Sequence, residues 1–289
     1  MITHISGHTS VYGIIGSPVA HSRSPLMQNA GFAALGIDAV YVPFKVSSEK
    51  LEIALQGLNS LGVAGFNVTI PHKTAIMEYL DDISPEAQVA GAVNTVVINE
   101  GRLTGFNTDG SGLIVSLWRD LGFRPAGMRV LILGAGGAAR GAAAGLSAAG
   151  VESIVLVNRT FERAFQIVKD LEKSFPSVSL TAKDEAKLPE IIGEADILIN
   201  ATSLGMQGED FSWLPLALMR NDAKVYDMVY SESETALCRA ASVHGLDSAD
   251  GMGMLAAQGE LAFELWTGRF PPDGLFRSSI EKNIKLSKS

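Results

Sequence analysis

The stretch Arg129 to Gly145, RVLILGAGGAARGAAAG, decides how this chain folds. Val130 to Leu133 is a short apolar run, the length of a buried parallel strand. It breaks into Gly134-Ala135-Gly136-Gly137-Ala138-Ala139 and then into alanine-rich sequence of high helix propensity. Strand, glycine turn and helix in that order carry the G-x-G-x-x-A spacing of a dinucleotide-binding fingerprint. Gly134 permits the tight turn, Gly136 lets a pyrophosphate approach the backbone, and Ala139 allows helix and strand to pack closely. The free N–H groups and aligned dipole at the helix start then favour phosphate.

Working outward, Ser153 to Val157 reads as the next strand. Dinucleotide-binding folds carry an acid roughly 20 residues beyond the first glycine, where it bonds the ribose 2′-hydroxyl. This chain has Asn158-Arg159-Thr160 there instead. Arg159, Arg163 one turn on and the Thr160 hydroxyl would attract a 2′-phosphate by charge-assisted contacts. The alternative is a solvated arginine pair beside a helix start, but the preceding strand and glycine turn favour NADP(H) as cofactor. After this unit strands and helices keep alternating, through Ile197 to Ile199 and Val225 to Met228, which indicates a doubly wound parallel sheet. The loop Asn200 to Met206, at the end of one of these strands, should border the nicotinamide half of the cofactor.

Composition narrows the class. A chain of 289 residues, 47% hydrophobic, suits two domains with sizeable cores. A formal charge of -8 leaves no basic stripe for nucleic acid, and no run approaches the ~20 apolar residues of a membrane span. The opening MITHISGHTS lacks the pattern of a secretory signal. The single cysteine, Cys238, cannot form an internal disulfide, so a cytoplasmic location is expected. The histidines at 4, 8, 21, 72 and 244 have no zinc-ligand spacing, and no metal is expected.

The N-terminal part has its own α/β pattern. Val11 to Ile15 reads as a strand, followed by His21-Ser22-Arg23-Ser24-Pro25 and a helix. Ser22 and Ser24 converge near that helix start, a suitable place for a small carboxylate, although Ser24 alone reads better as a plain cap. Leu51, Leu55, Leu58 and Leu61 mark an amphipathic helix that stops at Gly62. From Gly65 to Ile70 the residues alternate, so Phe66, Val68 and Ile70 face one way and Asn67 and Thr69 the other. Lys73 then falls where a helix should begin, either as an ordinary surface lysine or as a proton donor disfavoured as a cation there. Asp109, at the start of a later helix, reads as an N-cap.

Taken together, the motifs resemble the shikimate dehydrogenase family along nearly the whole chain. The matching stretches are SPVAHSRSP (17–25), FNVTIPHK (66–73), GAVNT (91–95), NTDG (107–110), GAGGAAR (134–140), NRT (158–160), NATSLGM (200–206) and GMGMLAAQG (251–259). Departures are confined to Met252, Ala256-Ala257 and Glu260, none of which removes a polar site residue. The resemblance implies two α/β domains separated by a cleft. Residues 1–109, completed by helices in 252–289, would form an N-terminal substrate domain, and 110–251 a Rossmann-type NADP-binding domain. It implies NADPH-dependent reduction of 3-dehydroshikimate to shikimate in aromatic biosynthesis, by a monomer or homodimer.

Carried over residue by residue, Ser22, Ser24 and Tyr230 would hold the substrate carboxylate. Asn67, Thr69, Asn94, Asp109 and Gln258 would bind its hydroxyls, and Lys73 with Asp109 would form the catalytic pair. Gly134, Gly136, Gly137, Ala138, Asn158, Arg159, Thr160, Arg163, Thr202, Met228 and Gly251 would meet the cofactor. Three other readings compete. A quinate/shikimate dehydrogenase of broader specificity would also use NAD, against which Asn158-Arg159-Thr160 argues. A methylenetetrahydrofolate dehydrogenase fits the paired serines and NTDG less well. A catalytically silent dinucleotide-binding regulator would be expected to lack Lys73 or Asp109, and both are present.

Overall fold

The computed structural model describes residues 5–206, 209–231 and 233–286. It divides into two compact units: one runs to Thr108 and resumes at Ala256, and the other spans Asp109–Leu255. The first begins with β1 (Ser10–Gly16), α1 (Ser24–Leu35), β2 (Ala39–Lys45), α2 (Leu51–Ser60) and β3 (Gly65–Val68). It continues through β4 (Asp82–Ile83), α3 (Pro85–Ala90), β5 (Thr95–Asn99) and β6 (Arg102–Phe106). The second unit contains α4 (Asp109–Leu121), β7 (Arg129–Leu133), α5 (Gly137–Ala148), β8 (Ser153–Val157), α6 (Phe161–Glu172) and β9 (Ser179–Lys183). Then follow α7 (Leu188–Ile191), β10 (Ile197–Asn200), β11 (Lys224–Asp227), α8 (Ala236–Val243) and β12 (Asp247–Asp250). The last elements are α9 (Met252–Thr267), which begins in the second unit and continues into the first, and α10 (Leu275–Leu286).

The first sheet has the order β2-β1-β3-β5-β6-β4. β1 is parallel to both β2 and β3, while β5 runs antiparallel to β3 and β6. Both faces are covered, so all four residues of β3 are buried. On one face Leu51, Leu55 and Leu58 of α2 join Ile15, Phe66, Val68 and Ile76. On the other, Phe32 of α1 packs on Tyr12 and on Phe263 of α9, and Phe263 meets Phe276 of α10 edge-on. The β5–β6 hairpin turns through Glu100 (φ 50°) and Gly101 (φ 80°), the left-handed pair that a tight hairpin requires.

Two apolar patterns run further in the sequence than in the structure. Leu61 lies past the end of α2 and is 83% exposed, because Gly62 (φ 72°) turns the chain away there. Ile70 is 72% exposed, because β3 stops at Val68 and the chain leaves the sheet.

The second sheet has the order β12-β11-β10-β7-β8-β9, and every pairing is parallel. Such a sheet is buried on both faces, which explains the uninterrupted apolar runs VLIL (130–133) and ILI (197–199). One core gathers Leu131, Leu133, Leu198 and Val225 with Leu188, Leu237 and Ala241 from the helices. α4 and α5 meet through glycine: a Cβ on Gly145 would lie 2.6 Å from the Gly110 Cα. Ser116 on α4 is 2.7 Å from the Tyr226 hydroxyl on β11, so that helix is also pinned through a buried polar contact. Strand β12 escapes the sequence reading because DSAD carries no apolar alternation; it is an edge strand, held by pairing with β11.

Candidate functional site

In the first sheet β1 lies between β2 and β3, so the chain changes winding direction there; open α/β sheets bind ligands beyond the carboxyl ends of such strands. Ser22, Ser24, Asn67, Thr69, Lys73 and Asn94 all follow or flank these strand ends. The loops after β1 and β3 are tied together by Thr69 N–H to the Ile15 carbonyl and Ser17 N–H to the Ile70 carbonyl, both 3.0 Å. A Cβ on Gly16 would come within 2.3 Å of Thr69 Cγ2, so the loops approach this closely only with glycine there. The Val93 N–H donates to the Lys73 carbonyl at 2.7 Å, which sets the backbone of Lys73 beside Asn94.

Lys73 is half-buried, and it does not open an α-helix. It sits in a turn leading to a 3-10 helix, Ala75–Tyr79. His72, 1% exposed with its Nε2 2.7 Å from the Val46 carbonyl, anchors that turn. A single tight turn gathers little aligned dipole, unlike the full helix start expected from sequence. Ser24 opens α1 but does not cap it by its side chain. Its backbone N–H donates to Ser22 Oγ at 3.3 Å, and its side chain lies beside the Tyr41 phenol.

Behind these residues runs a buried line of polar groups. Tyr41 Oη donates to Asn67 Oδ1 at 2.7 Å, and Asn67 Nδ2 donates to the Asn94 carbonyl and to Thr95 Oγ1, both at 3.1 Å. Thr95 Oγ1 donates to Asn94 Oδ1 at 2.9 Å, and Asn94 Nδ2 donates to Thr108 Oγ1 at 2.9 Å. Burial pushes the Tyr41 phenol well above its usual pKa, against the smaller opposing effect of Ser24, so the hydroxyl remains a donor. Tyr41, Thr95 and Thr108 were not anticipated from sequence; each reads there as an ordinary strand or loop residue. Gln258 lies on α9 in this unit, next to Gly259, whose carbonyl accepts from Gln28 Nε2 at 3.0 Å. Asp109 and Tyr230 belong to the second unit, although the residue before Asp109 is fixed by Thr108 N–H to Asn94 Oδ1 at 2.9 Å.

The second sheet repeats the arrangement, with β7 between β8 and β10. A cavity of about 440 Å³ at these strand ends is lined by Gly134, Asn158, Arg159, Thr160, Arg163 and Thr202. Leu133, Val157, Glu185, Ser203, Leu204 and Trp213 complete the lining. Gly134 adopts φ 110°, and a Cβ on it would press on Thr202 Cγ2 at 3.0 Å and the Ala201 carbonyl at 3.1 Å. Cβ atoms on Gly136 and Gly137 would meet nothing within 4 Å, and no side chain caps α5. The opening is therefore left to backbone N–H groups with room in front of them, which fits a pyrophosphate. Asn158 Nδ2 donates to the Thr160 carbonyl at 2.8 Å, which holds this turn while Arg159 and Arg163 stay exposed at the cavity wall.

Asn200 organises the neighbouring loop. Its Oδ1 accepts from Thr202 N–H at 3.1 Å and Thr202 Oγ1 at 2.7 Å, and its Nδ2 donates to Asp227 Oδ1 at 2.8 Å. Burial raises the pKa of the fully enclosed Asp227 carboxyl. The Met228 N–H donates to the Asn200 carbonyl at 2.9 Å, and Gly251 packs so closely that a Cβ would lie 2.3 Å from the Met228 carbonyl oxygen. Thr202, Met228 and Gly251 are thus gathered at the ends of β10, β11 and β12. Glu185 and Trp213 carried no local signal; only the folding of their loops brings them to the cavity.

Among the described residues no group of three or more His, Cys, Asp or Glu is arranged to hold a metal, and no helix is long and apolar enough to cross a membrane. His4 lies outside the described residues.

Comparison with known proteins agrees with this geometry. The model of the shikimate dehydrogenase substrate binding domain matches residues 14–96, that of shikimate / quinate 5-dehydrogenase matches 120–207, and that of the shikimate 5′-dehydrogenase C-terminal domain matches 251–281. The chain belongs to the shikimate dehydrogenase family. A family relative in Geobacter metallireducens, named shikimate dehydrogenase (NADP(+)), is 50% identical over 284 residues, covering 97% of this chain and 99% of its own. A shikimate dehydrogenase crystallised in complex with NADP+ superposes with a TM-score of 0.88 at 37% identity, covering 97% of this chain and 98% of its own. The quinate dehydrogenase of Corynebacterium glutamicum in complex with NAD also superposes at 0.88, with 31% identity and coverage of 95% and 99%.

Proposed function

We propose that the protein is an NADP-dependent shikimate dehydrogenase, which reversibly reduces the ketone of 3-dehydroshikimate to the hydroxyl of shikimate in aromatic biosynthesis. The observation that carries the reading is the pair of complementary strand-end sites. One is lined by short hydroxyl and amide side chains suited to a small polyhydroxy acid. The other offers uncapped backbone N–H groups and two arginines suited to a dinucleotide with a 2′-phosphate. Substrate is assigned to residues 1–109 with 252–289, and cofactor to 110–251.

In this assignment Ser22, Ser24 and Tyr230 hold the carboxylate, and Asn67, Thr69, Asn94, Asp109 and Gln258 meet the hydroxyls. Gly134, Gly136, Gly137 and Ala138 cradle the pyrophosphate. Asn158, Arg159, Thr160 and Arg163 take the 2′-phosphate, and Thr202, Met228 and Gly251 border the nicotinamide. When bound, NADPH supplies the hydride that adds to the ketone carbon. As that bond forms, the carbonyl oxygen gains negative charge and needs a proton. Lys73 stabilises the oxygen and delivers or relays the proton, and Asp109 orients the exchange. The remaining polar residues act by alignment, since a rigid ring held at several points loses little further freedom on reaching the transition state.

The quinate dehydrogenase likeness raises a second reading, with NAD and a broader substrate range. Asn158-Arg159-Thr160 and Arg163 favour the first, because they supply positive charge where a 2′-phosphate would sit and no acid to bind a bare ribose. The test is oxidation of NADPH on adding 3-dehydroshikimate, with quinate plus NAD+ as control. Rapid turnover in the first assay and little in the second is expected; the reverse pattern, or no turnover in either, would sink the proposal.

A further inference from the structure

Tyr41 touches neither site loop by its backbone, yet its hydroxyl stands between two of them. It is 1% exposed, and it is held from several sides. Asn29 clamps its backbone: the Tyr41 N–H donates to Asn29 Oδ1 and Asn29 Nδ2 donates to the Tyr41 carbonyl, both at 2.9 Å. The Trp266 ring lies 6.0 Å from its own, and Trp266 is fixed in turn by Nε1 donating to the Val96 carbonyl at 2.9 Å. A phenol held this firmly can impose a direction on the groups it bonds.

That direction follows from counting protons. Asn67 Nδ2 must face the Asn94 carbonyl, which can only accept, and its second proton goes to Thr95 Oγ1. Both amide protons of Asn67 are therefore committed. Its Oδ1 already accepts from Tyr41, so what Asn67 can still offer is one lone pair. The single phenol proton is spent on Asn67, so toward its other neighbours the Tyr41 oxygen can only accept. The line Tyr41, Asn67, Thr95, Asn94 then runs donor to acceptor throughout, and bonds so aligned polarise one another.

We propose that Tyr41 is a positioning residue: by donating to one side of Asn67 Oδ1 it fixes the acceptor direction that the Asn94 carbonyl and Thr95 select, so that this point of the site takes a substrate hydroxyl and turns away a carbonyl or carboxylate oxygen. The inference rests on the assignment of this strand-end site to shikimate. Without the phenol proton Asn67 is held only on its amide-nitrogen side, the direction of its Oδ1 lone pairs is no longer fixed, and a site built to accept from a hydroxyl loses selectivity for one.

The test compares Tyr41→Phe with the wild type on shikimate and on analogues in which each ring hydroxyl in turn is replaced by hydrogen. Wild type should discriminate at least tenfold in kcat/KM against the analogue lacking the hydroxyl that meets Asn67. In Tyr41→Phe the KM for shikimate should rise about tenfold, as expected for one unmet buried bond, and that discrimination should fall to threefold or less. The KM for NADP+ should not move. Trp266→Phe disturbs the same packing without touching the hydroxyl, and it should lower the melting temperature while keeping the analogue pattern. Should Tyr41→Phe fail to fold, Thr95→Val cuts the next link and should likewise flatten the pattern. Unchanged discrimination in these hydroxyl-deleting variants, or equal rises in KM for shikimate and NADP+, would overturn the role of Tyr41. A wild type inert toward shikimate would instead overturn the assignment beneath it.

Discussion

At the ends of β1 and β3 the polar side chains bond mainly to one another, whereas at the ends of β7 and β10 the candidate ligand groups are glycines, backbone N–H groups and arginines exposed to solvent. Asn67 and Asn94 are 5% and 2% exposed and sit inside a closed hydrogen-bond line. Gly136, Gly137, Arg159 and Arg163 are all exposed. A small ring with a single carboxylate gives less electrostatic energy than a dinucleotide to order a loose site, so its partners must be aligned in advance. A dinucleotide carries phosphates that attract arginine and helix N–H groups from a distance, and long side chains can close on it afterwards. The first site should therefore respond to single-atom changes, and the second mainly to changes of charge.

The largest effect should come from removing charge where the chemistry happens. Lys73→Met should lower kcat by about 10²–10⁴-fold, the usual range for loss of a positioned acid, while the KM for shikimate changes little. Steady-state kinetics with saturating NADP+ checks this. Near-normal turnover would remove Lys73 from the mechanism and leave the first site as a binding surface alone.

Next in size is the cofactor side. Replacing Arg159 and Arg163 together by Ala should lower kcat/KM for NADP+ by about 10- to 100-fold, from the loss of charge-assisted bonds worth roughly 1.5–3 kcal/mol. The value for NAD+ should hold, because the unphosphorylated ribose gains nothing from either guanidinium. A parallel loss with both cofactors would mean that the arginines shape the cavity rather than read the phosphate, and the contrast between the two sites would blur.

The two sites also differed in how much of them the sequence disclosed. The glycine turn was legible because its geometry is local: Gly134 needs its left-handed φ and the tight contact with Thr202. The arginines were legible as the absence of an acid at a fixed distance from that turn. In the first unit, the listing of Ser22, Ser24, Asn67 and Asn94 owed most to motif resemblance, and their bonds could not be read. Tyr41 meets Asn67 across 26 positions, and Thr108 meets Asn94 across 14, through strand pairings that no short window contains. The same reason hid the end of β3: alternation continues to Ile70, but the tie between Ser17 and Ile70 takes the chain off the sheet. Glu185 and Trp213 were invisible because the loops that carry them have no pattern, only a destination.

The smallest expected effect separates the framework of the second unit from its site. Asp196 lies at the start of β10, the opposite end of the strand from the cofactor loop. Its Oδ2 accepts from the Arg129 N–H at 2.7 Å and its Oδ1 from Arg220 Nη2 at 2.7 Å. Burial alone would raise its pKa, but the Arg129 N–H and the Arg220 guanidinium outweigh that and hold it below the usual carboxylate value. A carboxylate whose pKa is depressed by folding stabilises the native state above the unfolded pKa, ~3.9, and loses that contribution as pH falls through the lower folded value. The Arg220 side chain is 38% exposed, so solvent screening reduces the ion pair to ~1 kcal/mol or less, and the bond to the backbone N–H carries most of the rest. Asp196→Asn should therefore lower the melting temperature by a few degrees near neutrality. The gap to wild type should narrow as pH falls below the unfolded value, ~3.9, and close as it passes the lower folded value, where the native carboxylate is protonated too. The kcat/KM for NADP+ should stay unchanged well below the transition. A gap independent of pH would show that packing, not charge, ties β10 to its neighbours. A loss of NADP+ binding would show that the two ends of this sheet are coupled, and that the cofactor site is held as rigidly as the substrate site.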